Sequence, residues 1–187
     1  ITFVSSDTTV VTTSFNIMSD GSTPKNTLKA IAAGTATITI TAGSVTKVTT
    51  VTVNVPTAFS AGYASTCFVL SGGDAYCSGY NDYGQLGDGT TTTRSSPTLV
   101  YGGHKFDAIS AGSTHTCAVT TADAGYCWGR NAHGNLGNGA TAYGETSPQL
   151  VSGGHAWKSI EAGTGHTCGL TTDDAAYCWG WGGYDQL

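Results

Sequence analysis

Strict alternation runs through residues 35–41, TATITIT: Ala36, Ile38 and Ile40 fall on one side of an extended chain, and Thr35, Thr37, Thr39 and Thr41 on the other. The stretch 48–55, VTTVTVNV, repeats the scheme, with Val51, Val53 and Val55 on a shared face. A period of two sets successive side chains on opposite faces of a strand. Gly34 and Ala42-Gly43 punctuate these strands, and residues 19–26, SDGSTPKN, read as a loop. Half-buried antiparallel strands with one apolar face predict a β-sandwich for residues 1–56.

From residue 57 onward the pattern changes: Gly, Cys, Trp and His appear together, and the chain repeats itself. AGYASTC (61–67), AGSTHTC (111–117) and AGTGHTC (162–168) align at offsets of 50 and 51. NDYGQLGDG (81–89) matches NAHGNLGNG (131–139), and SPTLVYGGHKF (96–106) matches SPQLVSGGHAW (147–157). A period near 50 with short strands and Gly-rich turns predicts propeller blades of about four strands each. The fold expected is therefore all-β: an immunoglobulin-like β-sandwich over 1–56, then propeller blades over 57–187.

Two resemblances sharpen that expectation. The segments 3–12 (FVSSDTTVVT), 28–40 (LKAIAAGTATITI) and 49–55 (TTVTVNV) resemble the bacterial immunoglobulin-like domains of group 2. That family implies a spacer or adhesive module on a cell surface, with a further strand before Ile1. Gly-His-Thr-Cys, then Tyr-Cys-Trp-Gly, then Asn-x-x-Gly-x-Leu-Gly resembles the regulator-of-chromosome-condensation repeat in its bacterial, cysteine-bearing form. The resemblance implies a seven-bladed propeller, of which residues 57–187 supply about two and a half repeats. Further repeats beyond Leu187 are therefore expected, unless partner chains cover the open edge. Three positions depart from the pattern. Ser78 replaces the Trp of Trp128 and Trp179, Ser65 replaces the His of His115 and His166, and Asp185 stands where Gly84 and Gly134 sit.

Six cysteines occur as three pairs, each with nine residues between its members. Turn signals lie between them: SGGD (71–74), TAD (121–123) and TDD (172–174). Cys67 and Cys77 are equidistant from Gly72, Cys117 and Cys127 from Ala122, and Cys168 and Cys178 from Asp173. Equal distance from a hairpin centre sets two residues directly opposite, about 4.5 Å apart at Cα, within reach of a disulfide. Zinc sites favour cysteines two to four residues apart with four ligands converging, and redox pairs favour Cys-x-x-Cys at a helix start. Structural disulfides are the reading these spacings support, and disulfides persist in oxidising compartments. The protein is expected to be extracytoplasmic: periplasmic, on the cell surface or secreted.

Charge narrows the partners. Twelve acidic and seven basic residues give a formal net charge of -5. The basic residues are scattered, so the Lys/Arg clusters that neutralise phosphates are missing and no nucleic-acid partner is expected. Asp74, Asp82, Asp88, Asp107, Asp123, Glu145 and Glu161 bias the repeat region toward basic partners. No stretch approaches the roughly 20 apolar residues of a membrane helix.

Catalytic chemistry has little footing. His115 and His166 recur in register, as do His104 and His155, which assigns them to the repeat, while His133 has Ala and Gly neighbours. Asp74, Asp123 and Asp173 fall in hairpin turns, where Asp bonds to turn backbone. No nucleophile elbow, phosphate loop or paired-acid constellation is present, and no metal or cofactor is expected. The aromatic residues Tyr63, Tyr80, Tyr83, Tyr101, Tyr143, Trp181 and Tyr184 fall in predicted loops or strand ends and are the candidate partner contacts. Tyr76, Tyr126 and Tyr177, beside the cysteines, are assigned to packing within blades. The function expected is non-enzymatic binding of another protein, such as a membrane-complex subunit or a secreted enzyme. An adhesin or a scaffold subunit would fit. A propeller enzyme or a glycan-binding protein acting on extracellular polysaccharide is the alternative.

Overall fold

A computed structural model of the chain describes residues 2–16, 25–30, 32, 34–42, 44–185 and 187. Contacts divide it into two units, Ile1–Val55 and Pro56–Leu187. All regular structure among the described residues is β, and no helix there is long and apolar enough to cross a membrane.

The first unit has two sheets. β1 (Thr2–Ser5), β4 (Gly34–Ala42) and β5 (Val45–Val53) form one, in the order β1-β4-β5. β2 (Val11–Asn16) and β3 (Lys25–Ala30) form the other. The alternation in 35–41 does what period two dictates. Ala36 and Ile38 are buried with Val10, and Ile40, Val51 and Val53 pack against them. Val55 lies past the end of β5 and is exposed, so the shared valine face stops at Val53. Lys25 and Asn26 belong to β3, paired with Asn16 and Phe15, not to the loop expected over 19–26. The rest of that loop and Gly43 lie outside the described residues.

The second unit is three antiparallel meanders. The first is β6 (Pro56–Ala61), β7 (Ser65–Leu70), β8 (Ala75–Gly79) and β9 (Arg94–Leu99). The second is β10 (Phe106–Ala111), β11 (His115–Thr120), β12 (Gly125–Asn131) and β13 (Ala142–Leu150). The third, β14 (Trp157–Ala162), β15 (His166–Thr171) and β16 (Ala176–Gly180), has three strands, one fewer than the repeat predicts.

Cys67, Cys117 and Cys168 stand opposite Cys77, Cys127 and Cys178 in the hairpin registers. All three pairs are disulfide-bonded, with Cα atoms 4.1 Å apart. The first two bridges belong to apolar layers shared by successive blades. Cys67, Val69, Cys77, Leu86 and Val100 pack with Phe106, Ile109 and Trp128 of the next blade. Cys117, Val119, Cys127, Leu136 and Val151 do the same with Trp157 and Ile160.

Candidate functional site

Strand direction sorts the loops into two ends. β6 and β8 run into segments 62–64 and 80–93, and the corresponding strands of the other blades run into 112–114, 132–141, 163–165 and 181–185. The hairpin turns and the blade-to-blade connections 100–105 and 151–156 lie at the opposite end. Six of the seven candidate contacts fall on the first rim: Tyr63, Tyr80, Tyr83, Tyr143, Trp181 and Tyr184. Tyr101, in the connection after β9, is at the other end and does not join them.

The rim is built on a loop that each of the first two blades folds around an asparagine. The Asn81 carboxamide oxygen accepts the Leu86 N–H (2.9 Å), and its NH₂ donates to the carbonyls of Thr90 (3.1 Å) and Thr92 (3.0 Å). Asn131 repeats this with Leu136 (3.0 Å) and the Ala140 carbonyl (3.0 Å). In the first loop Asp88 adds an ion pair to Arg94 (2.7 Å). Burial works against the Asp88 charge, but bonds from Thr90 and Arg94 outweigh it and hold the carboxyl below its ordinary range.

Each loop then grips the following blade. The Gln85 carbonyl accepts both the Trp128 indole N–H (3.0 Å) and the Thr116 hydroxyl (2.8 Å). The Asn135 carbonyl accepts the Trp179 indole (3.0 Å) and the Thr167 hydroxyl (2.7 Å). His115 also serves the blade junction: its Nε2 lies 2.8 Å from Oγ1 of Thr167, a strand residue of the next blade. His104 and His155 pack against Tyr126 and Tyr177 with tilted rings, at centroid distances of 4.2 and 4.5 Å. Tyr76 stacks on Phe68 (5.7 Å). Among the ionisable turn residues, Asp74 pairs with Lys105 (2.6 Å) and Asp174 with Lys158 (3.2 Å). Asp123 and Asp174 take the positive-φ turn position that Gly73 occupies in the first hairpin.

On top of this frame the aromatic residues form a run. Tyr80 and Tyr83 meet edge-on at 6.4 Å, Tyr83 and Tyr143 lie 5.3 Å apart, and Trp181 contacts His133 (6.3 Å) and Tyr184 (4.9 Å). The Arg130 guanidinium sits 5.2 Å from the Tyr83 ring centroid. Tyr63, Tyr143 and Tyr184 are 88%, 75% and 81% exposed. The Tyr80 hydroxyl donates to Asp82 (2.7 Å), and that bond to an anion pushes its pKa up to about 12. Two hollows open here. One of about 350 Å³ is lined by Tyr63, Ala64, Tyr80, Tyr83, Ser113 and Thr114. The other, about 220 Å³, lies between Arg130, His133 and Trp181. Arg130 and His133 were not among the sequence-predicted contacts. Their signal was available: each occupies a position held by tyrosine in the first blade.

Comparison with known proteins accords with the fold. The family described as "Regulator of chromosome condensation (RCC1) repeat" matches residues 72–119 and 126–170, and a second family of the same description matches 57–85, 106–135 and 157–186. The crystal structure of human WBSCR16 is similar at 20% identity and a TM-score of 0.65, covering 72% of this chain and 36% of that one. Yeast RCC1 (Prp20) bound to Kap60 is similar at 19% identity and a TM-score of 0.58, covering 66% of this chain and 32% of that one. Prp20p from Saccharomyces cerevisiae, described with its binding properties to Gsp1p and histones, gives 19% and 0.59 over 66% and 33%. The chain thus spans about a third of the length of these structures. No curated protein matches the sequence.

Proposed function

Residues 57–186 are regulator-of-chromosome-condensation repeats, and on that premise we propose that this chain is a non-enzymatic protein-binding module whose contact face is the aromatic rim. We place it outside the cytoplasm, as an adhesin or a scaffold subunit on the outer face of a membrane or cell-surface assembly. Residues 1–55 would act as an immunoglobulin-like spacer that presents the propeller.

One observation carries the reading. Residues that recur between blades, such as Asn81 and Asn131 or Leu86 and Leu136, are buried and build the frame. Six aromatic residues at positions that vary between blades converge on one rim, where all but the half-buried Tyr83 stand exposed. Tyr and Trp offer large contact area at low entropy cost, which suits them to anchoring partners. Support for a non-enzymatic role is that His104, His115 and His155 are engaged in blade packing and Asp74 and Asp174 in surface ion pairs. Support for export is the three disulfides, which reducing compartments do not sustain. The yeast structure bound to Kap60 shows a related propeller engaging a protein.

The test is site-directed photocrosslinking. A benzoylphenylalanine at position 63 or 143 should yield adducts of discrete mass with envelope proteins of the source cells, and one at position 101 should not. Adducts from position 101 alone, or from none of the three, would remove the aromatic rim as the contact face.

A further inference from the structure

The hollow between the first two blades differs from its counterpart along the rim. The repeat offsets align Tyr63 with Ser113 and Thr164, Tyr80 with Arg130 and Trp181, and Tyr83 with His133 and Tyr184. Three tyrosines coincide in the first blade only, and together they line a space of about 350 Å³. Since the second blade folds without them, the repeat itself does not require this trio. Its geometry is nonetheless held. The Tyr63 N–H bonds the Gly112 carbonyl (3.3 Å), Tyr80 N bonds the Ala64 carbonyl (2.9 Å), and the Tyr80 hydroxyl is anchored on Asp82.

Ring faces carry negative quadrupole charge and attract ammonium or guanidinium groups within about 6 Å. This cluster already demonstrates the preference, since Arg130 rests 5.2 Å from the centre of Tyr83. A phenol that donates to a carboxylate is more electron-rich still, which applies to Tyr80. The surrounding charges agree. Within residues 80–94 and 130–145, Arg94 is tied to Asp88, which leaves Arg130 as the other cation and Asp82 and Glu145 as the remaining acids, in a chain of net charge -5. Ser113 and Thr114 complete the lining, so it includes polar residues, which suits a charged head better than an aliphatic one.

Resting on the protein-binding reading above, we propose that the Tyr63–Tyr80–Tyr83 hollow receives an arginine side chain projected by the partner protein, its guanidinium stacked on the rings with Asp82 beside it. Arginine is chosen over lysine because its planar, weakly hydrated head stacks on aromatic faces.

The probes are N-acetyl-arginine amide and its neutral isostere N-acetyl-citrulline amide, titrated into the intact chain with tyrosine side chains observed by NMR. The arginine amide should shift the Tyr63, Tyr80 and Tyr83 signals saturably, and the citrulline amide should bind about three- to fivefold more weakly, the range an exposed cation–π contact supports. Asp82→Asn should weaken only the arginine amide. Tyr63→Ala should abolish the response while the circular dichroism spectrum stays that of the parent chain. Equal affinity for both amides, no saturable shift with either, or chitotriose moving the same signals with the higher affinity would each overturn the proposal. The two readings fail separately. If position 143 still crosslinks a partner in a Tyr63→Ala/Tyr80→Ala chain, protein binding stands and the arginine pocket falls.

Discussion

The imidazole of His115 lies between the second and third blades, 1% exposed, with Nε2 facing the Thr167 hydroxyl and Nδ1 without a partner. Thr167 donates its own proton to the Asn135 carbonyl, so it accepts from His115, and the proton of the neutral ring sits on Nε2. Burial, with a smaller contribution from the His166 charge, lowers the His115 pKa from 6.5 to about 4. The unfolded chain therefore takes up a proton between those two values while the folded chain does not. Stability should be level above pH 6.5, fall as the pH drops from about 6.5 to about 4, and lose roughly 3 kcal/mol over that window at 1.36 kcal/mol per pK unit. Urea midpoints measured at pH 7.5 and 4.5 test this. A His115→Gln chain, which keeps a donor for Thr167, should lose most of the difference. A pH dependence identical in both chains would show that His115 is not its source. In the sequence this residue was legible as a member of the repeat; its partner was not, because Thr167 lies 52 positions away on another blade.

At the scale of elements, the junction between blades is a tryptophan set against a glycine. Gly87 has φ +69°, and a Cβ built there would stand 2.6 Å from Trp128 Nε1; Gly137 stands in the same relation to Trp179, at 2.7 Å. Gly134 shares the positive φ (+72°), yet a Cβ there would meet nothing within 4 Å. Gly134→Ala should therefore cost only the left-handed backbone strain, about 1 kcal/mol. Gly87→Ala must also displace a fully buried indole and should cost about 2–4 kcal/mol in urea unfolding. Equal costs would mean that the Trp128 contact yields freely. Strand positions, hairpin centres and the cysteine registers were legible because they are local: alternation and turn residues act over a few positions. The Gln85–Trp128 and Asn135–Trp179 bonds span 43 and 44 residues, and no local rule reaches that far. The aromatic rim was half legible. Its residues could be picked by type, but their convergence depends on which end of a strand each one occupies, and Tyr101 fell on the wrong end.

The whole molecule is two units with different means of stabilisation. All six cysteines lie in Pro56–Leu187, whereas Ile1–Val55 has none, and among the described residues its apolar cluster is a small one around Val10, Ala36 and Ile38. Each bridge joins residues 10 apart in sequence, and a loop of that length is worth about 2.8 kcal/mol in the chain-entropy model. The blades share their apolar layers, so the three contributions should act on one cooperative transition, about 8 kcal/mol in all. For a unit of this size that corresponds to a fall of roughly 25 °C in Tm. Calorimetry of the full chain should accordingly resolve two transitions. Reduction with a phosphine should move the propeller transition down by that amount, or abolish it, and leave the other in place. Tryptophan fluorescence identifies which is which, since all four tryptophans lie beyond residue 55 and report only on the propeller. A single transition that moves as a whole on reduction would show that the two units unfold together, and the stability of residues 1–55 would then have to come from outside its own core.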